Sequence, residues 1–297
     1  MKSLSTDGFL VIDKSAGMTS HDVVAIARRA FGTRKVGHAG TLDPMATGVL
    51  VLGFGRGTRL LQYITDGDKS YAATIVLGAS TVTDDVEGAI ETTASPIEIA
   101  AITDQAIREE LAKMCGKIMQ RPSSVSAIKV DGERAYARVR AGEDVQLPAR
   151  EVTISQLDIK AIRRSERMIE IDIEVTCSAG TYIRAIARDC GVALDVGGHL
   201  NALRRTRVAS FDLTQAVTIE KLKANEFEAL TVAEVAAAIF PIRELSSDEA
   251  HEISFGRSLT LGTSEAIMAA MAQGQLVALL SNRDGAARPI TVFAAQS

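Results

Sequence analysis

Between Met168 and Thr176, apolar and polar residues alternate without a break: Ile169, Ile171, Ile173 and Val175 against Glu170, Asp172, Glu174 and Thr176. An extended chain places successive side chains on opposite faces, so this segment has one buried and one solvated face. Strands of a parallel sheet are covered on both faces, so the pattern points to an antiparallel sheet. Gly8–Asp13, Val49–Phe54 and Tyr71–Leu77 read as further strands, and Ala202–Phe211 as a basic one. Val152 and Ile154 alternate too, but Leu157 and Ile159 fall out of phase, which predicts a bulge near Ser155–Gln156.

Helical signals lie between these strands. Thr19 stands three residues before Asp22, and Val23, Ile26, Ala27 and Ala30 follow at helical spacing. Thr58–Ile64 and Asp104–Met114 read as helices, as does the stretch after Gly180, with Ile183, Ile186, Ala187 and Cys190 as its apolar stripe. Gly32–Gly48 holds four glycines and a proline without apolar period and reads as one long loop, the kind that carries function. Asp131-Gly132 marks a turn, and Arg134–Arg140 one or two helical turns. The tail offers a helix over Asp248–Phe255 and a hairpin, Leu276–Ser281 to Pro289–Phe293. No βαβ rhythm appears, so the expectation is an α+β fold around a mixed, largely antiparallel sheet flanked by helices and loops. We expect a main domain over 1–245 and a small C-terminal α/β accessory module over 246–297.

With 46% hydrophobic and 24% charged residues, the chain can bury a core, which excludes disorder. Cys115, Cys177 and Cys190 are too scattered for a zinc site or a disulfide framework. The start of the chain lacks a signal-peptide pattern and no apolar run could span a bilayer, so a cytoplasmic, membrane-free protein is expected. The net charge of −4 argues against a nucleic-acid partner, but its distribution does not. Met1 to Ser210 carry 27 basic against 26 acidic residues, whereas Phe211 to Ser297 carry 6 against 11. Basic residues gather at Arg28, Arg29, Arg34 and Lys35; at Arg121, Lys129, Arg134, Arg138 and Arg140; at Arg163, Arg164 and Arg167; and at Arg204, Arg205 and Arg207. Each group alone is an ordinary solvated face, while the four together suit a polyanion.

Asp43, before Pro44, projects from the glycine-rich loop. An isolated Asp-Pro is an ordinary Asx turn. A lone carboxylate acting as nucleophile must stay ionised, and a nearby arginine favours that form. Arg184 and Arg188, four apart at a strand-to-helix junction, could supply it or could be plain surface arginines. Tyr71 and Tyr182 are core residues by default, yet either ring could stack on a base. Gly53-Phe-Gly55-Arg-Gly57 has the wrong spacing for a dinucleotide loop and is better read as close backbone packing. The four histidines show no metal-ligand spacing.

Taken in order, Asp13-Lys14-x-x-Gly17-x-Thr19-Ser20, Gly37-His38-x-Gly40-x-Leu42-Asp43-Pro44-x-Ala46-x-Gly48-Val49-Leu50, Lys69-x-Tyr71, Arg121-Pro122-Ser123 with Ser126-Ala127-x-Lys129, Gly180-Thr181-Tyr182-Ile183-Arg184 and Leu203-Arg204-Arg205-Thr206 resemble the bacterial tRNA pseudouridine-55 synthases of the TruB type. The resemblance covers about Gly8 to Phe211. It departs at Ser15, where the family usually has proline, and the tail is similar only loosely to the family's RNA-binding PUA module.

The resemblance implies a pseudouridine-synthase-type fold with a PUA-like tail, and assigns roles by position. Asp43 would be the nucleophile, attacking either the sugar or the pyrimidine ring, with Arg184 as its ion-pair partner. Tyr71 would stack on the flipped base and assist removal of its C5 proton. Tyr182 and Leu203 would be pocket walls, and His38 would brace the gap left by the flipped nucleotide. Lys14, Lys69 and Arg204 would contribute to substrate binding. No metal and no cofactor is implied; the partner is tRNA through its T-arm, and the enzyme is expected to be a monomer. A rival from another class is an RNA-binding or RNA-folding chaperone using the same groove without turnover. A nucleotide enzyme built on Gly53–Gly57 is a third reading.

Overall fold

The alternating segment forms strand β11, and its neighbours explain the alternation. In the computed structural model, which describes residues 6–123, 129–130, 133–134, 147–260 and 266–293, Ile169, Ile171, Ile173 and Val175 are all buried. On the solvated face Arg163 pairs with Glu170 and Asp172, and Lys160 with Glu174.

In chain order the strands are β1 (Gly8–Lys14), β2 (Val36–His38), β3 (Thr47–Phe54), β4 (Lys69–Leu77), β5 (Ala79–Thr81), β6 (Ile90–Thr93), β7 (Gly116–Gln120), β8 (Lys129–Val130), β9 (Glu133–Arg134), β10 (Arg150–Arg164), β11 (Ile169–Cys177), β12 (Gly198–Val208), β13 (Phe211–Asp212), β14 (Val217–Thr218), β15 (Ile242–Glu244), β16 (Met268–Ala272), β17 (Gln275–Arg283) and β18 (Ala286–Val292). The chain forms two compact units: Met1–Leu42, Val49–Thr65 and Ala209–Ser297 make one, and Asp43–Gly48 with Asp66–Val208 the other.

The second unit is built on the sheet β12-β4-β11-β10-β7, antiparallel throughout. Thr47 and Gly48 add a short parallel pairing to Arg204 and Arg205 of β12. The sheet is therefore mixed and largely antiparallel, as expected. The anticipated bulge is present, since the β10–β11 register shifts between Ile154 and Gln156. The helix Ile183–Ala193 packs on β12 and buries Ile183, Ile186, Ala187 and Cys190, the expected stripe. Its Gly191 permits a very close approach, because a Cβ there would lie 2.2 Å from Gly197 C and Gly198 N. Gly191→Ala gains about 1 kcal/mol of helix propensity but forces backbone apart, which costs about 1–3 kcal/mol. The steric effect is expected to win, seen as a lower urea midpoint at unchanged slope.

The first unit opens with β1, parallel to β14, and with the helix Ser20–Ala30. Thr19 and Asp22 cap that helix reciprocally, as read from the sequence. Gly32–Gly48 is not one loop: Val36–His38 pairs antiparallel with Leu52–Phe54. The sequence hides this strand because Gly37 lies under Leu61, where a Cβ would meet that side chain at 2.8 Å. A strand whose central residue must lack a side chain has no apolar period to read. Around Gly53–Gly57 the backbone does come close, with a Gly57 Cβ placed 2.5 Å from the Gly8 carbonyl oxygen. The basic strand is shifted from expectation: β12 runs over Gly198–Val208 and ends where Ala209 turns at φ +49°.

The tail forms the four-stranded sheet β15-β16-β17-β18 with the helix Ser247–Ser254. Ile253, Leu259, Ala278 and Leu280 are in its core. The hairpin turns at Asp284-Gly285, both with positive φ. The Asp131-Gly132 turn, Ser126-Ala127 and, of the helical turns expected over Arg134–Arg140, all but Arg134 lie outside the described residues; Arg134 belongs to the strand β9. No described helix is long and apolar enough to cross a membrane.

Candidate active site

Asp43 stands in the loop between β2 and β3, in a turn closed by the Ala46 N–H donating to the Asp43 carbonyl at 3.1 Å. Its carboxylate is about one-third exposed, and Oδ2 lies 3.0 Å from Nε of Arg184. The arginine is the second residue of the Ile183–Ala193 helix and its side chain is only 6% exposed. It faces inward because the apolar stripe anchors that side of the helix on the sheet.

The other edge of the Arg184 fork is engaged as well. Nη1 donates to the Thr83 carbonyl at 2.7 Å and lies 3.3 Å from Oδ2 of Asp85. Asp85 is buried, and its Oδ1 accepts from Thr83 Oγ1 at 2.5 Å and from the Glu87 N–H at 3.0 Å. Hydrogen bonds between Asp84, Val86 and Leu200 stitch this turn to β12. A buried carboxylate is tolerated when paired and fully hydrogen-bonded, and Asp85 meets that condition. Asp85 thus fixes Arg184, leaving Nε for Asp43. Arg188, one turn on, reaches Asp84 at 3.1 Å and the Arg121 carbonyl at 2.8 Å.

Tyr71 projects from β4 on the buried face of the sheet, opposite Val175 of β11 and Arg205 of β12. Burial pushes its phenol above the ordinary range; Arg205, which hydrogen-bonds the hydroxyl, acts in the opposite sense, and Asp43 adds a smaller upward push. Leu203 lies two residues before Arg205, buried on the same face and opposite Ala73. Lys69, two residues before Tyr71, is buried and opposite Cys177; burial first and Arg205 second push its ammonium down, and it donates to the Gly67 carbonyl at 2.6 Å. Burial pushes the Cys177 thiol up to about 11.

Tyr182, half-buried, is the N-cap of the Arg184 helix and is held by Gln120: its N–H donates to Oε1 at 2.7 Å and its carbonyl accepts from Nε2 at 3.1 Å. Arg204 faces away from the Tyr71 side and reaches Thr47 Oγ1 at 3.3 Å. Glu87 also faces this region: burial and the carboxylates of Asp85 and Asp43 push its carboxyl up, while the Met45 N–H pulls it down.

The second unit therefore gathers Asp43, Arg184, Tyr71, Leu203, Lys69 and Tyr182. Lys14 and His38 belong to the first unit. There Lys14 is fully buried, with Nζ donating to the carbonyls of Ser15 at 3.0 Å and Met18 at 2.7 Å. The contact uses the backbone of Ser15, which proline would equally provide. His38 meets His21 edge to face at 5.7 Å.

Two residues that touch this candidate site were given no role in the sequence reading. Asp85 sits in no motif weighed there. Arg205 was counted among phosphate-binding arginines, but it is 1% exposed. Arg163 and Arg164 are likewise engaged by carboxylates, Arg164 by Asp104 at 2.5 Å. Arg28, Arg29, Arg34 and Lys35 do remain exposed. Among the described residues, no cluster of His, Cys, Asp or Glu could hold a metal ion.

Family models place this arrangement. Residues 28–183 match the TruB family pseudouridylate synthase N-terminal domain. Residues 184–245 match the tRNA pseudouridylate synthase B C-terminal domain, and 240–294 the C-terminal region of tRNA pseudouridine synthase II. The chain belongs to the TruB family of pseudouridine synthases. Relatives named tRNA pseudouridine synthase B include one from Arthrobacter sp. (strain FB24), 56% identical over 97% of this chain and 96% of that protein. Another, from Corynebacterium diphtheriae, is 52% identical over 99% of this chain and 98% of its own length.

Among solved structures, the fold is similar to a chain in an H/ACA RNP bound to a substrate RNA containing 2′-deoxyuridine. The TM-score is 0.71 at 22% identity, covering 98% of this chain and 86% of that one. A Cbf5-Nop10-Gar1 complex matches at TM-score 0.70 and 22% identity, covering 98% and 84%. As a TruB-family enzyme the chain is an isomerase. Asp43, Tyr71 and Asp85 fall inside the N-terminal synthase match, and Arg184 opens the next.

Proposed function

We propose that this enzyme converts the T-loop uridine of tRNA, position 55, to pseudouridine, with Asp43 as nucleophile and Tyr71 as the base at C5. The isomerisation breaks the N1–C1′ bond and joins C1′ to C5 of the same base. It calls for a nucleophile, a base and an apolar enclosure. The observation that carries the reading is the Asp43–Arg184 pair at 3.0 Å. A guanidinium at that distance orients the carboxylate and supplies its counter-charge, while the exposed third of Asp43 leaves an approach for substrate.

A uridine stacked in a folded loop must be extruded, at a cost of a few kcal/mol. Leu203 and Tyr182 would supply apolar and aromatic walls that offset this cost. The relatives named tRNA pseudouridine synthase B support tRNA as the substrate. The test is to map pseudouridine by position on an unmodified tRNA transcript. Product at the T-loop uridine alone is expected; product elsewhere would keep the chemistry and overturn the substrate assignment. Tight binding without product would favour a chaperone.

A further inference from the structure

Arg205 is the largest side chain fully buried among the described residues. Burying a guanidinium carries a desolvation penalty of several kcal/mol unless strong partners offset it. Its position is set from two sides. In the sheet it stands directly opposite Tyr71 of β4, and its other neighbour is Gly48, five residues after Asp43. Gly48 has φ +98°, and a Cβ there would lie 2.2 Å from the Arg205 carbonyl oxygen. The strand is thus pressed against backbone on one side while its side chain meets the phenol on the other.

We propose that Arg205 is a positioning residue for Tyr71: its guanidinium fixes the phenol oxygen and stabilises the phenolate that takes the C5 proton. This rests on the reading of Tyr71 as the base. Once C1′ is bonded to C5, that carbon carries both the sugar and a hydrogen. The C5–H bond breaks and the proton passes to the Tyr71 oxygen. The electron pair closes the C5=C6 double bond, the C6=N1 pair moves onto N1, and N1 takes a proton from water. The regenerated phenol returns its proton to solvent.

Among the described residues, the charged and titratable groups acting on Tyr71 are Arg205 from β12, Cys177 from β11 and Asp43 from its loop, with Lys69 two residues along β4 on the same face. Cys177, with its thiol pushed up to about 11, stays neutral near pH 7, and Asp43 disfavours the phenolate. Of the first three, Arg205 alone favours it. A cation beside the phenol lowers the pH at which the base forms, so removing it moves the alkaline rise in rate to higher pH.

The test compares wild type with Arg205→Met and Arg205→Lys, with single-turnover rates from about pH 6 to about pH 10 and the phenol titration of the free enzyme followed to about pH 12. Substrates are tRNA transcripts made with ordinary or 5-deuterated uridine. Carbon-13 at Cζ of tyrosine reports phenol titration directly, in a chain with 4 tyrosines. Arg205→Met is expected to slow turnover about 100-fold, enlarge the deuterium isotope effect, and raise the Tyr71 midpoint by about one pH unit or more. Arg205→Lys, which keeps a cation, should recover part of each. An unchanged Tyr71 midpoint in both variants overturns the proposal. So does a rate loss that follows the melting temperature with no change in isotope effect. Tyr71→Phe turning over at the wild-type rate would instead remove the base itself, an outcome that the NMR titration distinguishes from a failure of Arg205.

Discussion

Asp43→Asn is expected to abolish pseudouridine formation, by at least about 10⁴-fold in single turnover, with tRNA affinity within about threefold of wild type. The amide keeps the size of the carboxylate and can still accept from Arg184 Nε, so the loop retains its anchor. It lacks the charge and nucleophilicity that the reaction requires. Asp43→Glu tests position instead: one extra methylene moves the carboxylate by more than 1 Å, and misplacement on that scale costs about 100-fold. Filter binding and position-mapped product formation on the same preparations separate binding from chemistry. Appreciable product from the asparagine variant would sink the assignment of Asp43.

Arg184→Met is expected to have the next largest effect, on activity and stability together. It strips the counter-charge from Asp43, leaves buried Asp85 without its cationic partner, and takes the Arg184 donor from the Thr83 carbonyl. Breaking a buried pair by removing one partner costs about 3–5 kcal/mol. Arg184→Lys restores charge but not the fork, since an ammonium cannot match the planar guanidinium that spans Asp43 and Asp85. Its activity should fall between the two. The double variant Arg184→Met/Asp85→Leu replaces the buried pair with apolar groups and should regain most of the lost stability, while turnover stays absent. Urea unfolding and single-turnover assays report the two quantities separately. Recovery of turnover in the double variant would refute the role given to Arg184.

What the sequence revealed and what it concealed divide by the range of the interaction. The β11 strand, the Thr19–Asp22 cap, the bulge after Ile154 and the tail hairpin were legible because each is written in adjacent residues. Strand β2 was not, because it is three residues long with Gly37 at its centre, packed under Leu61, which leaves no apolar period to read. Asp85 and Arg184 stand 99 positions apart in the chain, and no local pattern announces that contact. Arg205 was misjudged for a related reason. In Arg204-Arg205-Thr206-Arg207 both faces of the strand are polar, so alternation cannot say which arginine turns inward. Asp43, Tyr71 and Arg184 received their roles through the family resemblance; on the residues alone Asp43 read as an Asx turn, and Arg184 stood open between partner of a carboxylate and surface residue.

The tight contact at Gly48 also bears on how this catalyst could be altered. The chain that carries Asp43 reaches β12 at the residue that faces Tyr71, so the spacing between Asp43 and Tyr71 is set by backbone rather than by side chains. A library aimed at other target bases would waste its diversity at position 48, where any side chain disturbs both ends at once. Leu203 and Tyr182 are better positions to vary. Their side chains can be exchanged without placing a Cβ in the Gly48–Arg205 contact, so the site's shape could change while Asp43 and Tyr71 keep their distance.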